Sequence, residues 1–166
     1  MLNGTRQQIR MSDNLSALET WAGTLLAQLQ PGQRRIVTRR IAQDLRRSQA
    51  QRIASQQAPD GTPYATRKQR KNLRGKKGRI KRQKAAMFEK IRTYKNLKTE
   101  QDGNQLSVGF FGRVARIARV HQEGATDKVS KKGQGVRYPT RPLLGFSATD
   151  QALIRDSLLR HLTPKP

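Results

Sequence analysis

The chain has 166 residues, with 35 Lys and Arg against 11 Asp and Glu, and a formal net charge of +24. It contains no Cys, which excludes disulfides, thiolate metal sites and cysteine nucleophiles. The sequence has no apolar run long enough to span a membrane and no signal peptide pattern, so we expect a soluble protein made in the cytoplasm. Its length fits about one domain.

The basic excess is the strongest compositional signal. Like charges at this density oppose a compact monomer, so the chain needs a polyanion, an acidic protein surface or acidic oligomeric neighbours. Carboxylates and His are scarce, which argues against most hydrolases and metalloenzymes. We therefore expect a binding or structural protein rather than an enzyme.

The N-terminal region predicts two helices after an extension at residues 1–10. Ser12 and Asp13 suit an N-cap, and a Pro31-Gly32 pair predicts the end of the first helix. Apolar residues recur between these points at helical spacing: Leu15, Leu18, Trp21, Leu25 and Leu29. The pattern leaves open whether Trp21, Leu25 and Leu29 lie in the core or in a subunit contact.

The second predicted helix runs from about residue 33 to residue 55 and is strongly basic. Its apolar positions are Ile36, Val37, Ile41, Leu45 and Ile53. Arg residues cover the rest of its surface, which is either solvated or in contact with DNA or an acidic partner. A Pro- and Gly-rich cluster at residues 58–64 then predicts a turn.

A basic block follows at residues 67–84, without acidic or aromatic residues. It predicts a mobile arm or loop at about residues 65–86 that contacts DNA or an acidic partner. The missing aromatics argue against stacking on single-stranded bases. The expected contact residues are Arg67, Lys68, Arg70, Lys71, Arg74, Lys76, Lys77, Arg79, Lys81, Arg82 and Lys84.

The middle of the chain predicts a small antiparallel hairpin. We expect a helix or mixed structure at residues 85–92, a strand at about 92–99, and a returning strand at 106–110. The sequence Gln-Asp-Gly-Asn at 101–104 predicts the turn between these strands.

The C-terminal part predicts a helix, a loop, an extended segment and a last helix. Val114, Ile117, Ala118 and His121 share one helical face, and Gly124 predicts its end. Residues 125–135 predict a loop, and the prolines at 138–146 predict extended chain. A capping box of Ser147 and Asp150 then begins an amphipathic helix, whose apolar positions are Leu153, Ile154, Leu158 and Leu162.

No residue pattern supports catalysis, a metal site or a cofactor site. The two His residues, His121 and His161, have no carboxylate at ligand spacing, and the chain has neither a phosphate-binding loop nor a nucleophile elbow. We expect His121 to make internal hydrogen bonds. Arg141, between two prolines, suits a fixed carboxylate or backbone carbonyls, or else faces solvent. Gly124 and Gly145 are expected to serve backbone geometry.

Three short motifs, in this order and spacing, resemble the phage virion morphogenesis family, which includes tail completion proteins of contractile-tailed temperate phages. They are a turn at residues 59–64, His-Gln-Glu-Gly at 121–124, and Pro-Thr-Arg-Pro-Leu-Leu-Gly at 139–145. The resemblance covers about residues 11–162. Within these motifs it implies structural roles for His121, Gln122, Gly124, Pro139, Arg141, Pro142, Leu144 and Gly145.

The resemblance implies an α+β fold, with a small antiparallel sheet flanked by helices, an N-terminal helix pair and a C-terminal amphipathic helix. It implies one tail-completion domain at residues 11–162, followed by a short tail at 163–166.

The implied function is structural and non-catalytic: completing the head-proximal end of a phage tail and supporting head–tail joining. The implied assembly is a homo-oligomeric ring, sixfold to match the tail tube. Its basic residues would face genomic DNA or acidic neighbours. The implied partners are the tail tube or its terminator and the neck or connector proteins, in the virion after assembly in the host cytoplasm. The alternative from composition is a nucleic-acid-binding accessory protein without sequence specificity.

Overall fold

The computed structural model describes residues 3–67, 86–102, 105–128 and 133–162. Most of the predicted basic arm lies outside these ranges. The chain divides into two compact units. The first comprises Met1–Leu45, Gln101–Ser107 and Phe146–Pro166, and the second comprises Arg46–Glu100 and Val108–Gly145.

Helix α1 spans Asn3–Ala27 and helix α2 spans Pro31–Ala54. Helix α1 begins well before the predicted N-cap at Ser12, so the predicted start is wrong: residues 5–11 contain no proline and mostly favour helix. The Pro31-Gly32 pair begins α2, because proline is well suited to a first helical position. The Nε atom of Arg34 donates to the carbonyl of Leu26 at 2.9 Å and so satisfies one of the last carbonyls of α1.

In the first unit, α1 packs against a C-terminal helix, α4, at Ala148–Leu162. The apolar positions predicted for the first helix, from Leu15 to Leu29, are all half-buried, although Leu29 lies beyond the end of α1 at Ala27. The predicted capping box begins α4: the Ser147 amide donates to Asp150 Oδ2 at 2.9 Å, and the Asp150 amide donates to Ser147 Oγ at 3.1 Å. Asp150 is fully buried there.

Helix α2 buries Val37, Ile41, Leu45 and Ile53, as the apolar pattern predicts. The prediction that Ile36 lies on the buried face is wrong, since 65% of this residue is exposed. It lies next to Val37 in the sequence, and two consecutive helical positions point about 100° apart, so the burial of Val37 does not by itself bring Ile36 into the core.

The strands form two separate two-stranded sheets. Strands β1 (Leu97–Asp102) and β2 (Gln105–Phe110) pair in one. Strand β1 extends two residues into the turn predicted at 101–104, and the rest of that turn lies outside the described residues. The segment before β1 forms turns, so the strand predicted at 92–99 begins too early. Strands β3 (Thr126–Lys128) and β4 (Gly135–Arg137) pair antiparallel, with Asp127 opposite Val136. The prediction of a loop over 125–135 is wrong at both ends, where β3 and the start of β4 are found instead. Strands this short and polar have no apolar alternation that a sequence could show.

Helix α3 spans Arg113–Glu123 and contributes Ala118 to the core of the second unit. Its predicted apolar residue Ile117 is instead 47% exposed. The buried members of this core come from α2, the loop after it, the turns before β1, helix α3 and the segment after β4: Ile53, Ala58, Tyr64, Ile91, Ala118 and Leu143. The helices and small antiparallel sheets confirm the predicted α+β class. Among the described residues, no helix is long and apolar enough to cross a membrane.

Candidate functional site

The structure describes one of the eleven predicted basic contact residues. Arg67 is exposed at the end of the loop that follows α2. The other ten lie outside the described residues: Lys68, Arg70, Lys71, Arg74, Lys76, Lys77, Arg79, Lys81, Arg82 and Lys84.

The predicted motif residues at 121–124 and 139–145 come together in the second unit. Two backbone hydrogen bonds fix their relative position: the Arg141 amide donates to the His121 carbonyl at 2.7 Å, and the Tyr138 amide donates to the Ala125 carbonyl at 3.1 Å. The prolines keep the later segment extended, so its carbonyls stay available to other parts of the chain. The Tyr64 hydroxyl donates to one of them, the Pro142 carbonyl, at 3.0 Å.

Arg141 is buried, with 3% of its surface exposed. Its Nε atom donates to the Ala65 carbonyl at 2.8 Å, and Nη2 donates to the Thr66 carbonyl at 3.1 Å. The sequence left open whether Arg141 binds a carboxylate, binds backbone carbonyls or faces solvent. In the structure it binds backbone carbonyls. Burial lowers the pKa of Arg141, but a guanidinium remains charged in proteins. The bonds anchor the loop after α2, next to the point where the basic block begins.

His121 lies between two aromatic rings. The rings of Phe88 and Tyr138 meet it edge to face, with centroid distances of 4.9 Å and 5.0 Å. Loss of hydration lowers the pKa of His121, and the positive charge of Arg141 lowers it further. The imidazole is therefore held neutral, and it can accept a hydrogen bond from Arg141.

Gln122 binds the extended segment through its side-chain amide. Its Oε1 atom accepts from the amides of Leu143 and Leu144 at 2.7 Å and 2.9 Å. Its Nε2 atom donates to the Leu144 carbonyl at 3.0 Å. One side chain thus satisfies backbone groups that would otherwise need a neighbouring strand.

Two motif glycines allow close approach of the backbone. Gly124 caps α3 in the left-handed conformation, at φ 66°, and a Cβ atom there would collide with the Thr140 side chain. Gly145 has φ 147°, and a Cβ atom there would lie 2.7 Å from Pro59 Cγ. Proline rings at 139 and 142 and the half-buried Leu144 complete the predicted set.

The sequence did not single out three residues that hold this cluster. Arg52 Nη2 donates to the Leu143 carbonyl at 3.0 Å. Gln56, in the left-handed region at φ 59°, exchanges two side-chain hydrogen bonds of 2.9 Å with the backbone of Met87. Phe88 is also left-handed, at φ 68°. A non-glycine residue in a turn gives no sequence signal for this conformation.

The geometry of the cluster fits a structural role. Its polar atoms bind backbone carbonyls and amides, and its imidazole is half-buried among aromatic rings. Within the described ranges, no group of three or more His, Asp and Glu side chains could hold a metal ion.

Comparison with known proteins places the chain in a family. The sequence model of the phage virion morphogenesis family matches residues 13–163, which span all three motifs. The tail completion protein S of Escherichia phage P2 is 42% identical over 139 residues, covering 83% of this chain and 90% of that protein. No solved structure matches the chain. The chain therefore belongs to the phage virion morphogenesis family.

Proposed function

We propose that this protein is a non-catalytic structural component that completes the head-proximal end of a phage tail and supports stable joining of the tail to the head. The observation that carries the proposal is the 42% identity to a tail completion protein across 83% of the chain. In this role the protein is part of the virion, and it is assembled in the host cytoplasm.

The buried motif cluster supports a structural role for these residues. His121, Gln122 and Arg141 connect α3, the extended segment and the loop after α2 through hydrogen bonds to the backbone. We propose that this cluster stabilises a tail-completion domain over residues 11–162, and that it takes no part in chemistry.

The charge supports an assembly in which anionic partners contact the chain. A chain of net charge +24 repels its own copies unless anions lie between them. We propose a ring, hexameric to match a tail tube, in contact with the tube or its terminator and with neck or connector proteins. Its cations, including Arg67 and exposed arginines of α2 such as Arg35 and Arg39, would face genomic DNA or acidic neighbours.

Light scattering tests this proposal directly. The mass of the purified protein would be measured across salt concentrations, with and without purified tail tubes, and the tube ends would be imaged. The proposal predicts one ring at one end of each tube and weak binding to free DNA. A protein that ignores tubes and coats any DNA with a steep salt dependence would be a nucleic-acid-binding accessory protein instead.

A further inference from the structure

The second unit contains an open cleft of about 570 Å³ beside the motif cluster. It lies between the turns at residues 86–91, helix α3, strand β4 and the chain that follows β4. Much of its lining is apolar and is contributed by Met87, Phe88, Ile117, Val136, Tyr138 and Pro139. A cleft of this size can hold a few side chains of a partner.

Two apolar residues of the lining are exposed although the core of the same unit is close by. Ile117 is 47% exposed and Val136 is 36% exposed. The sequence pattern predicts Ile117 to be a core position of α3, yet it faces the cleft. Exposed apolar side chains that line one cleft are typical of an interaction surface.

The wall of the cleft also contains a strained residue. Phe88 is held at φ 68°, a conformation that costs free energy for any residue with a side chain. The side chain of Gln56 fixes it by binding the preceding backbone group at Met87. Because strained backbone is concentrated at functional sites, this position supports a binding role for the cleft.

The rim of the cleft is basic. Arg67, Lys90 and Arg137 line it and are exposed. Among the described residues that line the cleft, Glu89 is the one carboxylate. The lowered pKa of His121 favours its neutral form, so the positive charge of the lining comes from the rim and from the buried guanidinium of Arg141. That guanidinium already donates to the Ala65 and Thr66 carbonyls.

We propose that this cleft is a docking site for a segment of a partner protein in which apolar side chains stand between Asp and Glu residues. The apolar side chains would cover Phe88 and Ile117, and the carboxylates would bind the basic rim. The phosphate backbone of duplex DNA matches the rim but leaves the apolar floor uncovered. A second copy would bring its own net charge of +24 to a basic rim. The proposal goes beyond the tail-completion function and does not depend on it.

Fluorescence anisotropy of the full chain tests the proposal at about 0.15 M salt, where weak surface charge contacts are screened. The probe is a short labelled peptide with Phe and Leu between Asp and Glu residues. The control peptide carries the same charges with Ser in place of Phe and Leu. We expect the first peptide to bind at least about tenfold more tightly than the second. Equal binding of the two peptides would overturn the proposal.

Matched variants locate the binding. We expect Ile117→Asp to weaken binding of the Phe-containing peptide about tenfold or more. The control is Ile36→Asp, which changes an exposed Ile on α2 and should leave this binding unchanged. Lys90→Glu should also weaken binding of this peptide. Lys95 is exposed but does not line the cleft, so Lys95→Glu should have a smaller effect. Thermal unfolding checks that each variant is folded, and Ile117→Ser replaces the Asp variant if that one unfolds.

Two other results would overturn the docking proposal. If Ile36→Asp weakens the peptide as much as Ile117→Asp does, binding is not at the cleft and the proposal is wrong. If Ile117→Asp instead reduces binding of a DNA duplex, or reduces self-association in light scattering while the peptide does not bind, the occupant is DNA or a second copy. Because the probe is a peptide, failure here would leave the tail-completion proposal standing.

Discussion

The Nη1 atom of Arg141 lies 3.2 Å from the Nδ1 atom of His121. A guanidinium can only donate, so Nδ1 must be the acceptor and the imidazole must carry its proton on Nε2. The contact joins two of the three motifs through residues that are 20 apart in the sequence. It also makes the stability of this unit depend on the protonation state of one imidazole.

Protonation of His121 should therefore reduce stability as the pH falls. The pKa of His121 is lowered from its ordinary value of 6.5 in the folded chain, so the unfolded chain takes up the proton first. The free energy of unfolding should stay at its full value above pH 6.5, the ordinary pKa of a histidine. It should decrease as the pH falls from 6.5 towards the lower pKa of His121 in the folded chain. Urea titrations between about pH 5 and pH 8 measure this.

Two controls isolate the imidazole in that experiment. His121→Gln should lose this pH dependence, and His161→Gln should keep it. Hydrogen bonds from the side chains of Thr62 and Arg116 lower the pKa values of Asp60 and Asp127 from the ordinary 3.8 of an aspartate. The stability that these two carboxylates contribute is therefore lost only below pH 3.8, outside the range of this titration. An unchanged slope in His121→Gln would contradict the assignment.

Replacement of Arg141 by Lys should destabilise the protein although the charge is kept. A lysine ammonium cannot reproduce the planar fork that reaches Ala65, Thr66 and His121 together. We expect a loss of about 2–4 kcal/mol in the free energy of unfolding, because buried acceptors are left without partners. Arg137→Lys, at an exposed position of β4, is the matched control and should change it by less than about 0.5 kcal/mol. Equal effects of the two variants would mean that the fork does not matter.

Gln122→Glu tests whether both ends of the Gln122 amide are needed. The carboxylate can still accept from Leu143 and Leu144, but it cannot donate to the Leu144 carbonyl and repels it. We expect a loss of about 1–3 kcal/mol by urea unfolding. The neighbouring exposed Glu123→Gln serves as the control and should be nearly neutral. A neutral Gln122→Glu variant would show that the donor contributes nothing.

Gly145→Ala should be destabilising because its Cβ atom would lie 2.7 Å from Pro59 Cγ at a positive φ. Backbone strain and steric overlap together should cost about 1–3 kcal/mol. Gly23→Ala provides the contrast: it lies inside α1 with open space around it, and should stabilise by about 0.5–1 kcal/mol. Thermal unfolding of both variants tests the pair, and a stable Gly145→Ala would contradict the close approach.

The sequence predicts local features of this fold better than its long-range contacts. The Ser147–Asp150 capping box and the apolar row of α1 depend on neighbours three or four residues away, so their patterns are visible in the sequence. The side-chain contact between Gln122 and Leu143 joins residues 21 apart, and that between Arg52 and Leu143 joins residues 91 apart. No periodicity encodes such pairs.

Apolar periodicity also predicts burial without saying against what. Ile36 and Ile117 occupy apolar helical rows, yet both are exposed. The pattern cannot distinguish a core position from one left for a partner. The family resemblance identified the motif positions in advance, but their partners in the fold, such as Gln56 and Phe88, had to come from the structure.

Reconstitution of phage assembly tests the central proposal most directly. Cells that produce the encoding phage without this gene would be lysed, and purified protein would be added to the extract of separate heads and tails. Tail completion predicts that infectious particles appear in proportion to added protein, with the protein at the head-proximal tail end by labelled imaging. Stable head–tail joining in the extract before any addition, with no gain in infectious particles after it, would contradict the proposal.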